Sequence, residues 1–396
     1  MLRLYKTPKK SLQTNLKYLN YINILYGLTF FTPYIALYLQ QKIFSLSLVA
    51  LIFSVQTFVT ILSEFPSAMF SDIFGRKKTL ILAALIRIIS FIFLLFANHP
   101  ALFILYAILA GLAQSFRSGT DQSLIYETCH ELKTDKTFQK EIGRYFSLYT
   151  IGATVSAVIA GVLSKISLEF TIWVSIVPAA LVIYLTMLLK EPHYHKTKTH
   201  TLKKHLQILS KEFRQKSTLR TFLFINSLLV AIFTILQKFT SVYLEFKSID
   251  ISSIGYVMAL FYLLNTYGYR LSHKFTKKFN NNLTLKFTVL AFSLTILLSA
   301  ISKAYIATFI FLTAGFFYSL MTPIFSEIIN AQTNSEIRVT THSLASIFTS
   351  IQVVILSILI SVSANIITIN SVFILLSIIP LVILLSFNKS INKNCS

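Results

Sequence analysis

The chain has 396 residues, 55% of them hydrophobic and only 13% charged, with a mean hydropathy of +0.69. That balance excludes an ordinary soluble domain. A formal net charge of +22, from 36 Lys and Arg against 14 Asp and Glu, has no aromatic-rich soluble segment beside it, so nucleic acid is not the expected partner.

A helix crossing a bilayer needs roughly 20 apolar residues. Runs of that kind occur at 21–41, 46–69, 79–97, 101–124, 143–164, 169–189, 220–243, 253–272, 284–302, 304–328, 342–363 and 369–387. They predict an all-α polytopic membrane protein with twelve transmembrane helices. The expected organisation is an N-terminal tail (1–20), a six-helix bundle (21–189), a basic linker (190–219), a second six-helix bundle (220–387) and a short tail (388–396). Lys and Arg concentrate in both tails and in the loops after even-numbered spans. Four of the opposite loops hold one cation each, Lys42, Lys165, Lys247 and Lys303. The asymmetry places both termini in the cytoplasm and the basic surface against anionic lipid headgroups. Residues 1–17 are basic and the first apolar run is long, so a cleaved signal peptide is not expected. Cys129 and Cys395 both fall on the reducing side, where no disulfide is expected.

The turn after the second span is the first charged interruption: Ser71-Asp72-Ile73-Phe74-Gly75-Arg76-Lys77-Lys78. Topology accounts for Lys77 and Lys78 but gives Asp72 and Gly75 no role. In the third span, Arg87 lies in the first half and is expected inside the bundle. On the fourth span Arg117 and Asp121 are four residues apart, hence on one helical face. Charges at that depth are costly and usually functional. Asp121 is the first candidate for a protonatable coupling residue, with Arg117 tuning it or meeting an anionic group; an internal structural pair is the alternative. Glu64 and Glu327 lie near cytoplasmic ends, as gate or boundary residues. Lys238 is close enough to an outer end to snorkel. Gly152 and Gly161 on the fifth span read as packing positions.

The linker carries His193, His195, His200 and His205, but their spacing fits no metal site. Beyond it the second half echoes the first. Ser272-His273-Lys274-Phe275-Thr276-Lys277-Lys278 follows the eighth span as Ser71–Lys77 follows the second, with Ser, Phe and the last Lys identical. Duplicated halves are typical of secondary transporters. The middles of the spans hold Tyr26, Gln56, Gln114, Asn265, Tyr318 and Gln352, all uncharged, which suits a moderately apolar cargo. No phosphate-cradling loop, zincin spacing or nucleophile elbow is present, so catalysis is not expected.

Asp72-x-x-Gly75-Arg76-Lys77-Lys78 resembles the loop 2–3 signature of the major facilitator superfamily, and Glu64-x-Pro66-Ser67 is similar to a variant in its bacterial efflux-type, drug/proton antiporter-like members. The likeness extends through Arg117-Ser118-Gly119-Thr120-Asp121 to Tyr126-Glu127. It reappears at Pro323-x-x-Ser326-Glu327-x-x-Asn330 and Arg338-Val339-Thr340. The usual first glycine of the signature is Ala68 here, and the glycine-proline pattern of many antiporters is missing.

The resemblance implies two pseudo-symmetric six-helix bundles working by alternating access. It also implies a cytoplasmic gate of Asp72, Gly75, Arg76, Lys77 and Glu127, with Glu327, Asn330 and Arg338 in the second half. Asp72 would be stabilised by the N-terminus of the eleventh span by roughly 0.3–2 kcal/mol, and Arg76 by Glu127. The expected function is proton-coupled efflux of small amphipathic compounds by a monomer in a bacterial cytoplasmic membrane, with the proton gradient as energy source and no cofactor. The alternatives are an importer of a small neutral solute and a non-transporting immunity or scaffold protein.

Overall fold

A computed structural model describes residues 9–134, 138–192, 217–332, 338–363 and 368–391. Among these every regular element is helical: α1 Lys9–Gly27, α2 Ile35–Ile43, α3 Leu46–Phe74, α4 Arg76–Phe96, α5 Pro100–Arg117, α6 Thr120–Glu131, α7 Phe138–Leu163, α8 Leu168–Leu188, α9 Ser217–Phe246, α10 Ile251–Phe279, α11 Asn281–Ile301, α12 Ala304–Gln332, α13 Arg338–Ser363 and α14 Ile369–Ile391. With α1 and α2 taken as one span and α5 and α6 as another, the long helices number twelve, as the apolar runs predict. Among the described residues ten segments are long and apolar enough to cross a membrane, and α14 contributes a shorter apolar stretch, Ile369–Leu384.

Contacts divide the chain into two compact units. The first holds residues up to Tyr34 and Ile52–Thr197, the second holds Ile35–Leu51 and everything from Lys198. The boundary differs from chain halves, because α2 and the first turn of α3 bury Ala36, Leu37, Leu39, Val49 and Ala50 almost completely. Within the second unit, Leu37 N–H donates to Ser241 Oγ at 3.3 Å, and Ser47 and Ser361 hydroxyls lie 3.1 Å apart.

Three helix boundaries also depart from the sequence reading. The residues expected as a tail up to 20 are helical from Lys9, because Leu12, Asn15 and Leu19 are buried along one face. The first span breaks after Gly27, passes through a 3-10 turn at Thr32–Tyr34 and restarts at Ile35. Pro33 disfavours helix at Thr32 and cannot donate a backbone bond. The fourth span is broken at Ser118–Gly119, where Gly119 takes φ +75°. Lys190 and Glu191, expected in a solvated linker, are docked: the Asn15 side chain donates to Lys190 O at 2.7 Å and accepts from Lys190 N–H at 2.8 Å. The four linker histidines and Cys395 lie outside the described residues.

The two cores differ in chemistry. The second unit contains a run of rings, with Tyr318 stacked on Phe233 (3.6 Å between centroids), Phe233 on Phe261, Phe261 on Phe311, and Tyr243 on Phe373. The first unit contains instead a polar and cationic cluster around Arg87, Arg117 and Asp121.

Candidate functional site

Two groups of ionisable side chains lie in the first unit. The first is at the turn between α3 and α4. Gly75 adopts φ +96° and ψ 158°, a region essentially closed to residues with a Cβ. The chain therefore reverses in one residue and α4 starts at once. The start leaves backbone N–H groups without helical partners. Glu191 supplies the acceptors: its carboxylate takes the N–H of Arg76 through one oxygen and that of Lys77, at 2.8 Å, through the other. A negative charge there also complements the helix dipole. Lys77 Nζ donates to Met187 O at 2.6 Å, so the last turn of α8 is tied to the same place.

The Arg76 side chain then turns back onto α3 and across to α6. Nη1 lies 2.7 Å from Asp72 Oδ1 and 2.8 Å from Ser71 Oγ, while Nε and Nη2 both approach Glu127 Oε1 at 3.1 Å. Arg76 and Glu127 are mostly shielded and Asp72 is exposed. One guanidinium thus joins two helices beside a carboxylate-capped turn. Breaking a shielded pair leaves a charge without compensation at a cost of a few kcal/mol.

The second group lies deeper, where the first and fourth spans break. Asp121 sits in the first turn of α6 and accepts the Gln122 N–H at 2.7 Å and the Tyr145 hydroxyl at 2.5 Å. Arg117 ends α5, and its Nε is 3.3 Å from Asp121 Oδ2. The pair expected on one continuous helix is therefore held across a helix break. Arg117 Nη2 also donates to Asn23 Oδ1 at 2.5 Å and to the Tyr145 hydroxyl at 3.3 Å. Its guanidinium carbon lies 3.8 Å from the Tyr26 ring centroid, and that of Arg87 lies 4.3 Å from the same centroid.

Arg87 is eleven residues into the 21-residue α4, about 16 Å from its start at 1.5 Å per residue. It stands mid-helix, which corrects the expectation that the span middles carry no charge. An arginine at a helix centre in lipid costs about 2.5–3.5 kcal/mol on insertion scales. Its Nη2 donates to Thr29 Oγ1 at 2.5 Å and to Tyr26 O at 3.3 Å, both at the break in the first span. Nη1 is buried and has no hydrogen-bond partner.

The other candidates are scattered. Tyr26 is buried in the second cluster, and Gln56 is half-buried on α3 with its carbonyl taken by Thr60. Gln114 and Glu64 are exposed, as is Glu327 on α12. In the second unit Tyr318 belongs to the ring stack, Asn265 Oδ1 is buried against Gly315, and Gln352 is buried with neither amide atom hydrogen-bonded. The side chains of Asn330 and Arg338 lie outside the described residues. The sequence reading missed Asn15, Asn23, Tyr145 and Glu191. A polar residue within an apolar run marks Asn23, whereas Glu191 had no local signal. No group of His, Cys, Asp and Glu among the described residues could hold a metal.

No curated protein matches the chain in sequence. Solved structures do match in fold. A point variant of the nucleoside transporter NupG aligns with TM-score 0.80 at 14% identity, covering 96% of this chain and 99% of its own. A bacterial homologue of the human lysosomal transporter Spinster gives 0.72 at 15% identity, over 96% of each chain. A D-xylose–proton symporter gives 0.73 at 11% identity, over 96% of this chain and 98% of its own. At such identities the likeness concerns the fold. The family model of the Major Facilitator Superfamily matches residues 18–351, and the chain, with its twelve long helices, belongs to that superfamily: it is a multi-pass membrane transporter and not an enzyme.

Proposed function

We propose that the protein is a proton-coupled exporter of small amphipathic compounds, working by alternating access from a cytoplasmic membrane with both termini inside. The observation that carries the reading is Arg76, shared between Asp72 and Glu127 beside a turn capped by Glu191. In this account the cluster steadies the cytoplasmic ends of the first unit in one state and loosens in the other. An energy of a few kcal/mol is the right scale to bias two conformations without freezing one. Asp121 remains the candidate for the coupling residue, since a carboxylate joined to a tyrosine hydroxyl and an arginine has partners able to reorganise when a proton arrives. Glu64, exposed and unpaired with Arg76, is the weaker candidate.

Direction is not a property of the fold, and an importer of a small neutral solute is the competing reading, in keeping with the names of the nucleoside and xylose transporters that share the architecture. Cellular accumulation of fluorescent amphiphiles with cationic, neutral and anionic headgroups separates the two. Export predicts lower accumulation of at least one dye in cells carrying the protein, restored by a protonophore. Higher accumulation would support import, and no change with any dye would favour a non-transporting membrane protein.

A further inference from the structure

We propose that Arg87 is the anchor of an anion-binding subsite in the first unit, and that the solute carried is an amphipathic monocarboxylate. The inference rests on the transport reading and deepens it by naming the charge of the cargo.

Three observations converge. Within the second cluster the ionised side chains are Arg87, Arg117 and Asp121, and Asp121 is already engaged with Arg117 and Tyr145. Arg87 makes no ion pair among the described residues; its polar partners are a threonine hydroxyl and a backbone carbonyl, and Nη1 has none. The cluster therefore carries one positive charge in excess in the interior of a membrane protein, where charges are otherwise paired or face a transport path. The two cations also crowd one ring, Tyr26, so an anion arriving between them would relieve repulsion as well as desolvation.

The second observation is the broken first span. Leu28 to Phe31 leave the helix, and Arg87 meets the Tyr26 carbonyl at that helix end and the Thr29 hydroxyl within the break. Discontinuous helices in the middle of transporter bundles are where solutes are held. Thirdly, the unpartnered Nη1 has no exposed surface here, so an anion would meet it in the state of the alternating-access cycle that opens this interior. A planar guanidinium fits a carboxylate. One excess charge matches a monoanion and would be overshot by a phosphate dianion. Phe91, 5.4 Å from the guanidinium carbon, and Tyr26 provide apolar surface beside the charge.

The competing reading is a brace, with Arg87 stitching α4 to the broken first span. The two predict opposite responses to losing the charge. Purified protein would be melted alone and with benzoate, indole-3-acetate or octanoate, each beside its neutral amide, for the native chain and for Arg87→Met. We expect at least one carboxylate to raise the native midpoint by a few degrees while its amide does not, and this response to vanish in Arg87→Met. The unliganded variant should melt at or above the native temperature, because removing an uncompensated buried charge is neutral or stabilising. Arg87→Lys, which keeps the charge, covers the case in which Arg87→Met fails to fold; it should retain a reduced carboxylate response. Equal shifts with acid and amide, no shift with any acid, or a shift that survives Arg87→Met would overturn the subsite. Because binding is read without transport, a protein that exports dyes yet ignores carboxylates removes only this inference. One that binds carboxylates and moves nothing keeps the anion subsite but removes the export reading and, with it, the carboxylate as cargo.

Discussion

At Gly75 two separate constraints fall on one atom that is absent. A side chain there would face φ +96°, and its Cβ would come within 2.9 Å of the Glu191 carboxylate that caps α4. Backbone strain of this kind costs about 1–3 kcal/mol. Gly75→Ala is therefore expected to lower the thermal midpoint of the purified protein by several degrees; an unchanged midpoint would show that the turn is not built as described. Gly75 was legible from sequence because a glycine between an aspartate and three cations has no topological purpose. Glu191 was not, since it lies 115 residues from the N–H groups it caps and opens a stretch rich in Lys and His. Nor was its placement, which depends on Asn15 gripping the Lys190 backbone from 175 residues away. Arg87 lies within one residue of the middle both of the expected span 79–97 and of α4, so its central charge was legible from the span bounds themselves.

Helix length and polarity were readable from apolar runs, whereas helix interruptions were not. Phe30 and Phe31 keep the first span apolar through its break, so hydropathy sees a single segment. Thr32-Pro33 was the available signal, since a residue before proline is biased away from helix. The break at Gly119 likewise hides in a continuous pattern, and the Arg117–Asp121 pair survives it because Tyr145 on α7 and Asn23 on α1 hold both partners. The reading of Gly152 as a packing residue has a sharper form in the structure. Gly152 on α7 and Gly27 at the end of α1 bring the two backbones together, with Ile24 O directly in the path of a Cβ at 152. Small residues at such crossings permit close approach. Gly152→Val should destroy a monodisperse size-exclusion profile, while Gly143→Ala on the same helix, with nothing within 4 Å, should leave it intact. Equal profiles would mean that this interface tolerates separation.

For the whole molecule, alternation of long apolar runs with basic loops was enough to reach twelve helices in two units. Chain order misassigned the piece from Ile35 to Leu51, whose own apolar surface, and not its connectivity, decides where it packs. The unequal interiors were also hidden, because the partners of Arg87, Arg117 and Asp121 come from α1, the break that follows it and α7. Sequence alone names the charges; only packing tells which of them cancel. The cluster around Arg76 is proposed as a working joint of the transporter. Its most direct test is the initial transport rate of a dye identified in the accumulation screen, for the native chain and Asp72→Asn at matched membrane abundance. Removing the Asp72 charge takes one of two carboxylates from Arg76, and the account predicts that transport is abolished while the protein is still made and inserted. Transport at the native rate in Asp72→Asn would contradict it.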